Sequence, residues 1–357
     1  MTLSSTRGLV RVSKNPDCHL QAAMALERVR EPEFYRSVTG TEYPGEYGER
    51  VSARRRGAKF EASLRQNNAA GLRQVLGPLF GWDLDSMAVR DFGEEVPGPP
   101  TTMRTLRLTR TRRILGDLAA GREVPQLLIQ PQLALPTGSG PRQLEFVSPD
   151  FMVLDSAAGI YVPGEEKSFI LRDNVAEPGD LDLTRRQAGA QILALRAESR
   201  LVGLADRVAN RAVFVMATPY GMKPAPPVVE QLDAAVYEIE RAVATIATVR
   251  EELAMLRSTG DAPLEFLVDE IPTHLQEECH RTCILAAYCE ARQADSAVVL
   301  GDGAADLLGA DMRLDRVRAL LQGAPPATAE ERELVARLTV AGRALGLEPD
   351  DLVRELA

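Results

Sequence analysis

The sequence predicts an α/β fold in which a central mixed sheet is flanked by helices, and three observations carry that prediction. First, three apolar runs of strand character follow one another at residues 127–135, 144–154 and 160–171. They are separated by Pro136-Thr137-Gly138-Ser139-Gly140 and Ser156-Ala157-Ala158-Gly159, the pattern of a meander. Second, a helical segment at 182–199 and an apolar strand at 211–218 come next, so helix, three strands, helix and strand succeed one another as they do when helices cover a sheet. Third, Leu232, Val236, Ile239, Val243, Ile246, Val249, Leu253 and Leu256 recur at three- and four-residue steps between Pro226-Pro227 and Gly260. That spacing predicts one long helix with a buried stripe.

The remaining elements follow in order. Residues 1–50 form an N-terminal segment that carries Cys18 and a Gly-, Pro- and Tyr-rich loop at 39–47. A helix is predicted at 51–67. Pro-Gly-Pro-Pro closes the stretch 91–100, and Thr101 or Thr102 caps a helix that carries Arg104, Arg107, Arg110, Arg112 and Arg113 up to about 120. The core is predicted to run over 51–290. Glycines 301, 303 and 323 and Pro325-Pro326 break 291–357 into a small helical appendage.

With 357 residues and 45% hydrophobic content the chain can bury a sizeable core. Its longest apolar runs fall far short of the roughly 20 residues of a membrane span. The first residues, Met1-Thr2-Leu3-Ser4-Ser5-Thr6-Arg7, lack the apolar region of a secretory signal, so a cytoplasmic location is expected. A net charge of −9 argues against a protein that coats nucleic acid indiscriminately. Arg54-Arg55-Arg56 and the arginine stripe at 104–113 are each either solvated helical faces or local phosphate contacts.

Four cysteines, Cys18, Cys279, Cys283 and Cys289, are all the chain has. In a reducing compartment a lone cysteine and a distant group of three favour a metal or cluster over disulfides. On a helix Cys279 and Cys283 would share one face. A Zn2+ site with His280 as a spare ligand and unligated thiols are the alternatives; His19 and His274 are read as incidental.

Glu165 and Lys167 alternate with Glu166 along a strand, so the first two point to one side and Glu166 to the other. A hairpin brings Asp150 beside Glu165. Two such carboxylates repel each other unless a divalent cation lies between them, and hard oxygen ligands suit Mg2+ or Mn2+. The bland alternative is a charged surface hairpin. Against it, the triplet lies between Ile160-Tyr161-Val162 and Phe169-Ile170-Leu171, and charge in an apolar strand needs a reason.

Ser148-Pro149-Asp150 with Glu165-Glu166-Lys167-Ser168 resembles the signature of the PD-(D/E)XK nucleases. One cysteine before that core and three after it is similar to the iron-sulphur members of the RecB-like branch, which include CRISPR adaptation nucleases and the AddB nuclease domain. The resemblance spans Cys18 to Cys289. It implies a restriction-endonuclease-like core and a structural 4Fe-4S cluster on Cys18, Cys279, Cys283 and Cys289. Arg56-Gly57-Ala58-Lys59-Phe60-Glu61 matches the branch's Gly-x-x-x-His frame with Glu61 at the histidine position, which makes Glu61 a third metal ligand beside Asp150 and Glu165. Gln187-Ala188-Gly189-Ala190-Gln191 keeps the glutamine of the Gln-x-x-x-Tyr motif and lacks its tyrosine. Gln187 then orients the site, and Arg185, Arg186 and Arg55 are DNA-contact candidates.

The resemblance therefore implies a Mg2+- or Mn2+-dependent DNA nuclease, an exonuclease or one that processes single strands or duplex ends, working beside a helicase or in prokaryotic defence, CRISPR adaptation or recombination and repair. Two rival readings remain: a DNA-binding or scaffold subunit that keeps fold and cluster without cutting, and a zinc-stapled interaction protein.

Overall fold

The structure is a computed structural model that describes residues 6–43, 51–95, 100–138, 144–168, 178–218, 223–276, 278–292, 302–309 and 312–344. Two compact units divide the chain: Met1–Arg30 with Pro44–Ile271, and Glu31–Tyr43 with Pro272–Ala357. The division thus falls away from residues 50 and 290. The first thirty residues go with the sheet, and the three clustered cysteines go with the C-terminal residues.

In chain order the elements are α1 (Thr6–Lys14), α2 (His19–Glu27), α3 (Glu31–Thr39), α4 (Val51–Phe80), β1 (Val89–Asp91), α5 (Phe92–Glu95) and α6 (Pro100–Ala119). The strands β2 (Leu127–Ile129), β3 (Leu133–Pro136), β4 (Leu144–Val147), β5 (Phe151–Asp155) and β6 (Ile160–Lys167) follow, then α7 (Pro178–Arg200), β7 (Arg211–Met216), β8 (Val228–Gln231) and α8 (Asp233–Leu256). The second unit holds α3 and then α9 (Cys279–Thr282), α10 (Ala286–Arg292), α11 (Asp302–Leu308), α12 (Leu314–Leu321) and α13 (Ala329–Ala344).

The first unit is an α/β structure with a mixed six-stranded sheet in the order β1-β2-β5-β6-β7-β8. Strands β5 and β6 form an antiparallel hairpin in which Phe151 faces Gly164 and Asp155 faces Ile160, while β6 and β7 run parallel. On one face Phe60, Leu64, Leu72 and Leu76 of α4 pack against Leu127, Ile129, Phe151, Val153, Val162, Val213 and Val215. Helix α7 lies against β6 from the other face, and α8 lies on α7. The helices α7 and α8 approach closely at Gly189, where an added Cβ would stand 3.0 Å from the Ala235 carbonyl oxygen. Gly164 serves a similar purpose within the sheet: a Cβ there would be 2.1 Å from the Phe151 ring.

Three expectations are corrected. The runs 127–135 and 144–154 are each two strands, because the backbone turns at Gln130, whose φ is +50°, and again at 148–150. Between those breaks β3 and β4 pair with each other as a separate two-stranded sheet. Pro226-Pro227 opens the edge strand β8, and the long helix starts only at Asp233. The buried stripe of α8 is Ala235, Val236, Ile239, Ala242, Ile246, Val249 and Leu253. Helix α4 continues past residue 67 to Phe80, with a break at Gln66–Ala69 where Asn67, Asn68 and Ala69 have positive φ. Residues 169–171, part of the predicted third run, and residues 44–47 of the loop at 39–47 lie outside the described residues.

In the second unit Val317, Leu320 and Leu334 form a small core. Arg316 binds Glu331 through two hydrogen bonds of 2.8 and 2.7 Å. Among the described residues no helix is long and apolar enough to cross a membrane.

Candidate active site

The last three residues of β6 carry charge into the middle of the first unit. Ile160 to Pro163 are apolar and buried, and Glu165 and Glu166, two and three positions on, are buried as well, at 4% and 3% exposure. Alternation along the strand separates them. Glu165 and Lys167 share the α7 side, where the Lys167 ammonium pairs with the Glu165 carboxylate and Gln191 Nε2 donates to Glu165 Oε1. Glu166 turns to the α4 side, where Arg65 Nη2 lies 3.1 Å from Glu166 Oε2 and Arg65 Nε donates to Glu166 Oε1 at 3.4 Å.

Asp150 sits between the two sides. It immediately precedes β5, and its Oδ2 accepts the backbone N–H of Glu166 at 2.9 Å, which fixes the carboxylate beside the end of β6. Its Oδ1 is 3.7 Å from Arg65 Nη2, and the same nitrogen is 3.6 Å from Glu61 Oε2, one helical turn earlier on α4. Glu61, Asp150, Glu165 and Lys167, expected together from the sequence, thus belong to one charged cluster with Arg65 and Glu166. Glu166 was expected to point away from the metal position. It does point away from Glu165, yet the Asp150 and Arg65 contacts bring it into the cluster.

Electrostatics follow from this crowding. Burial, joined by the charges of Asp150 and Glu61, pushes the Glu166 carboxyl up to about 8 against the opposing pull of Arg65. Burial also raises Glu165, with Lys167 opposing and Asp150 adding to the rise. Glu61 is raised by burial and by Asp150. For Lys167, burial works against the ammonium, but Glu165, Asp150 and Glu61 outweigh it and the pKa rises. Arg65 behaves in the same way toward Glu166, Asp150 and Glu61.

When ionised, four carboxylates face two side-chain cations, leaving two formal negative charges. The donor set is all hard oxygen, which fits a divalent ion such as Mg2+ or Mn2+. As the side chains stand, no three or more His, Cys, Asp or Glu among the described residues are arranged to hold a metal ion.

On α7, Gln191 meets Glu165, whereas Gln187 lies one turn earlier and is half-buried. Arg185 is bound to Glu230 at 2.7 and 3.2 Å. Arg186 ties three elements together: it pairs with Asp182 on its own helix, with Glu238 of α8 at 2.8 Å, and donates to the Ser13 carbonyl of α1 at 2.7 Å. These internal partners account for Arg186 without a phosphate. Arg55 is exposed on α4. Of the stripe on α6, Arg112 binds the buried Glu198 through two hydrogen bonds of 2.6 and 2.9 Å, and Arg107 donates to Gln130 Oε1 at 3.3 Å.

Sequence reasoning passed over Arg65 and gave Gln191 second place to Gln187. Arg65 carried a signal, since it follows Glu61 by four residues and so shares its helical face. The cysteines fall in both units. Cys18 in the first is the buried N-cap of α2. In the second, Cys279 and Cys289 are buried and Cys283 is half-buried. One helical turn links Cys279 to Cys283, whose N–H donates to the Cys279 carbonyl at 2.8 Å, and the chain leaves the helix there, with Cys283 extended at φ −116° and ψ 128°.

No family model, no curated protein and no solved structure matches the chain.

Proposed function

We propose that this protein is a divalent-metal-dependent DNA nuclease that acts on single strands or duplex ends. The observation that carries the reading is the meeting of Asp150, Glu165 and Lys167 at the end of β6, with Glu61 reaching the same cluster from α4. Such a set has no use in a core. Burying Glu165 and Glu166 beside the partly exposed Glu61 and Asp150 is costly, and folds retain such arrangements where charge must be handled.

Asp150, Glu165 and Glu61 would hold the cation. When bound, that ion polarises the scissile phosphate and lowers the pKa of an attacking water. The chain's residues do the rest. The Glu166 N–H holds Asp150 in place, and Gln191 holds the Glu165 carboxyl. Lys167 carries positive charge that can face the negative charge growing on the phosphate oxygens. Gln187 precedes Gln191 by one turn on α7 and would orient the site from there. The resemblance adds a structural 4Fe-4S cluster on Cys18, Cys279, Cys283 and Cys289 and a working context beside a helicase or in a defence system.

Labelled single- and double-stranded DNA incubated with anaerobically purified protein tests the reading. Cleavage should require Mg2+ or Mn2+, stop with chelator, and vanish in Asp150→Asn and Lys167→Ala. The preparation should be brown and hold about four irons per chain. DNA binding without cleavage in either metal would identify a non-cutting subunit, and a colourless protein with one zinc would identify a zinc-stapled one.

A further inference from the structure

We infer that Arg65 is a resident counter-cation of the carboxylate cluster, and that a divalent ion must displace it to reach Asp150 and Glu61. The inference rests on the metal-dependent reading above and adds the means by which the site stays closed to metal until one binds. One nitrogen, Nη2, lies 3.1, 3.6 and 3.7 Å from oxygens of Glu166, Glu61 and Asp150. Two of those three residues are the proposed ligands, so guanidinium and metal ion need the same oxygens.

Charge holds Arg65 there more than geometry does. Neither its Nη2 nor Glu166 Oε2, both buried, makes a well-aligned hydrogen bond within the described structure. A divalent ion such as Mg2+ would bring two charges to about 2.0–2.1 Å from an oxygen, closer than a guanidinium nitrogen comes. Coulomb attraction then favours the ion. Arg65 also has somewhere to go. Its side chain is 15% exposed, and it is the last residue before α4 breaks at Gln66. Lys167 differs: its ammonium pairs with Glu165 on the other side of β6, away from the contacts of Arg65 Nη2.

The test is Mn2+ binding by calorimetry, with melting temperatures measured with and without Mn2+, on the full chain prepared anaerobically. Wild type, Arg65→Gln and Asp150→Asn are compared. Arg65→Gln should bind Mn2+ roughly tenfold more tightly, the effect of removing one competing charge. Its metal-free melting temperature should fall, and Mn2+ should restore it to the wild-type value. An unchanged or weaker affinity, or a loss of stability that Mn2+ does not repair, makes Arg65 a structural tie and overturns the inference alone, provided wild type binds and Asp150→Asn does not. If neither wild type nor Arg65→Gln binds Mn2+, the metal-dependent reading falls and this one with it. Should Arg65→Gln fail to fold, Arg65→Gln/Glu166→Gln removes both buried charges and carries the same expectation.

Discussion

Glu165 and Glu166 are adjacent, equally buried and both raised in pKa, yet they are neutralised in opposite ways. Glu165 takes its cation from its own strand, two residues on, at Lys167. Glu166 takes its cation from α4, 101 residues earlier, at Arg65. The first pair forms as soon as the strand is extended, because alternation alone places both side chains on one side. The second exists only when helix and sheet have packed. One face of β6 therefore has a local, permanent counter-charge, and the other has a borrowed one that can leave.

Removing the local partner should do the greatest damage. Lys167→Ala leaves Glu165 buried without its ammonium and is expected to cost about 3–5 kcal/mol in urea unfolding, the loss typical of a broken buried pair. Lys167→Met with Glu165→Gln should recover more than half. If Lys167→Ala is silent, Glu165 is held neutral and the contrast between the two faces disappears. Gly164→Ala attacks the Glu166 face by driving a methyl group into the Phe151 ring, with an expected cost of about 1–3 kcal/mol. Combining it with Phe151→Leu should return part of that loss in melting temperature.

A third buried glutamate extends the comparison. Glu145 on β4 is raised to about 7 by burial, more than Arg28 and Arg104 lower it. A carboxyl raised in the folded state contributes stability that is fully present below its unfolded pKa, near 4.5, and is lost as pH rises through about 7. Glu145→Gln should melt with wild type below about pH 4.5 and above it at pH 8, by on the order of 2 kcal/mol. Equal curves at pH 8 would mean that its arginines suffice. The smallest effect is expected at Arg185, whose pair with Glu230 is partly exposed. Arg185→Ala should change stability by less than about 1 kcal/mol. If Arg185 reaches phosphate, the same change should flatten the salt dependence of DNA binding by about one charge.

Much of the sheet was legible because its signals are local. Ser156-Ala157-Ala158-Gly159 sets the β5–β6 turn, and Gly159 takes the positive φ such a turn requires. Alternation then put Glu165 with Lys167 and Glu166 opposite. Helix α6 and the spacing along α8 were readable for the same reason. Other features were not local. A left-handed Gln130 leaves no trace in composition, so two strands read as one. Val228–Gln231 reads as the start of a helix because only its pairing with β7 makes it a strand. Arg65 was assigned no partner because its partner is set by packing, and Gln191 outranks Gln187 only once α7 has its rotation over β6.

The β3–β4 hairpin leaves the main sheet at Gln130 and rejoins it at Asp150, and its base is sewn shut. Gln130 N donates to the Asp150 carbonyl at 2.9 Å, and Ser148 Oγ donates to the Pro131 carbonyl at the same distance. Asp150 is thereby anchored by the stitches at the neck and by β5, independently of the length of chain between β3 and β4. Loop length costs little once the ends are joined, about 0.6 kcal/mol for each doubling. The neck thus keeps the acid in place whatever length of chain joins β3 to β4, and the cluster stays constant.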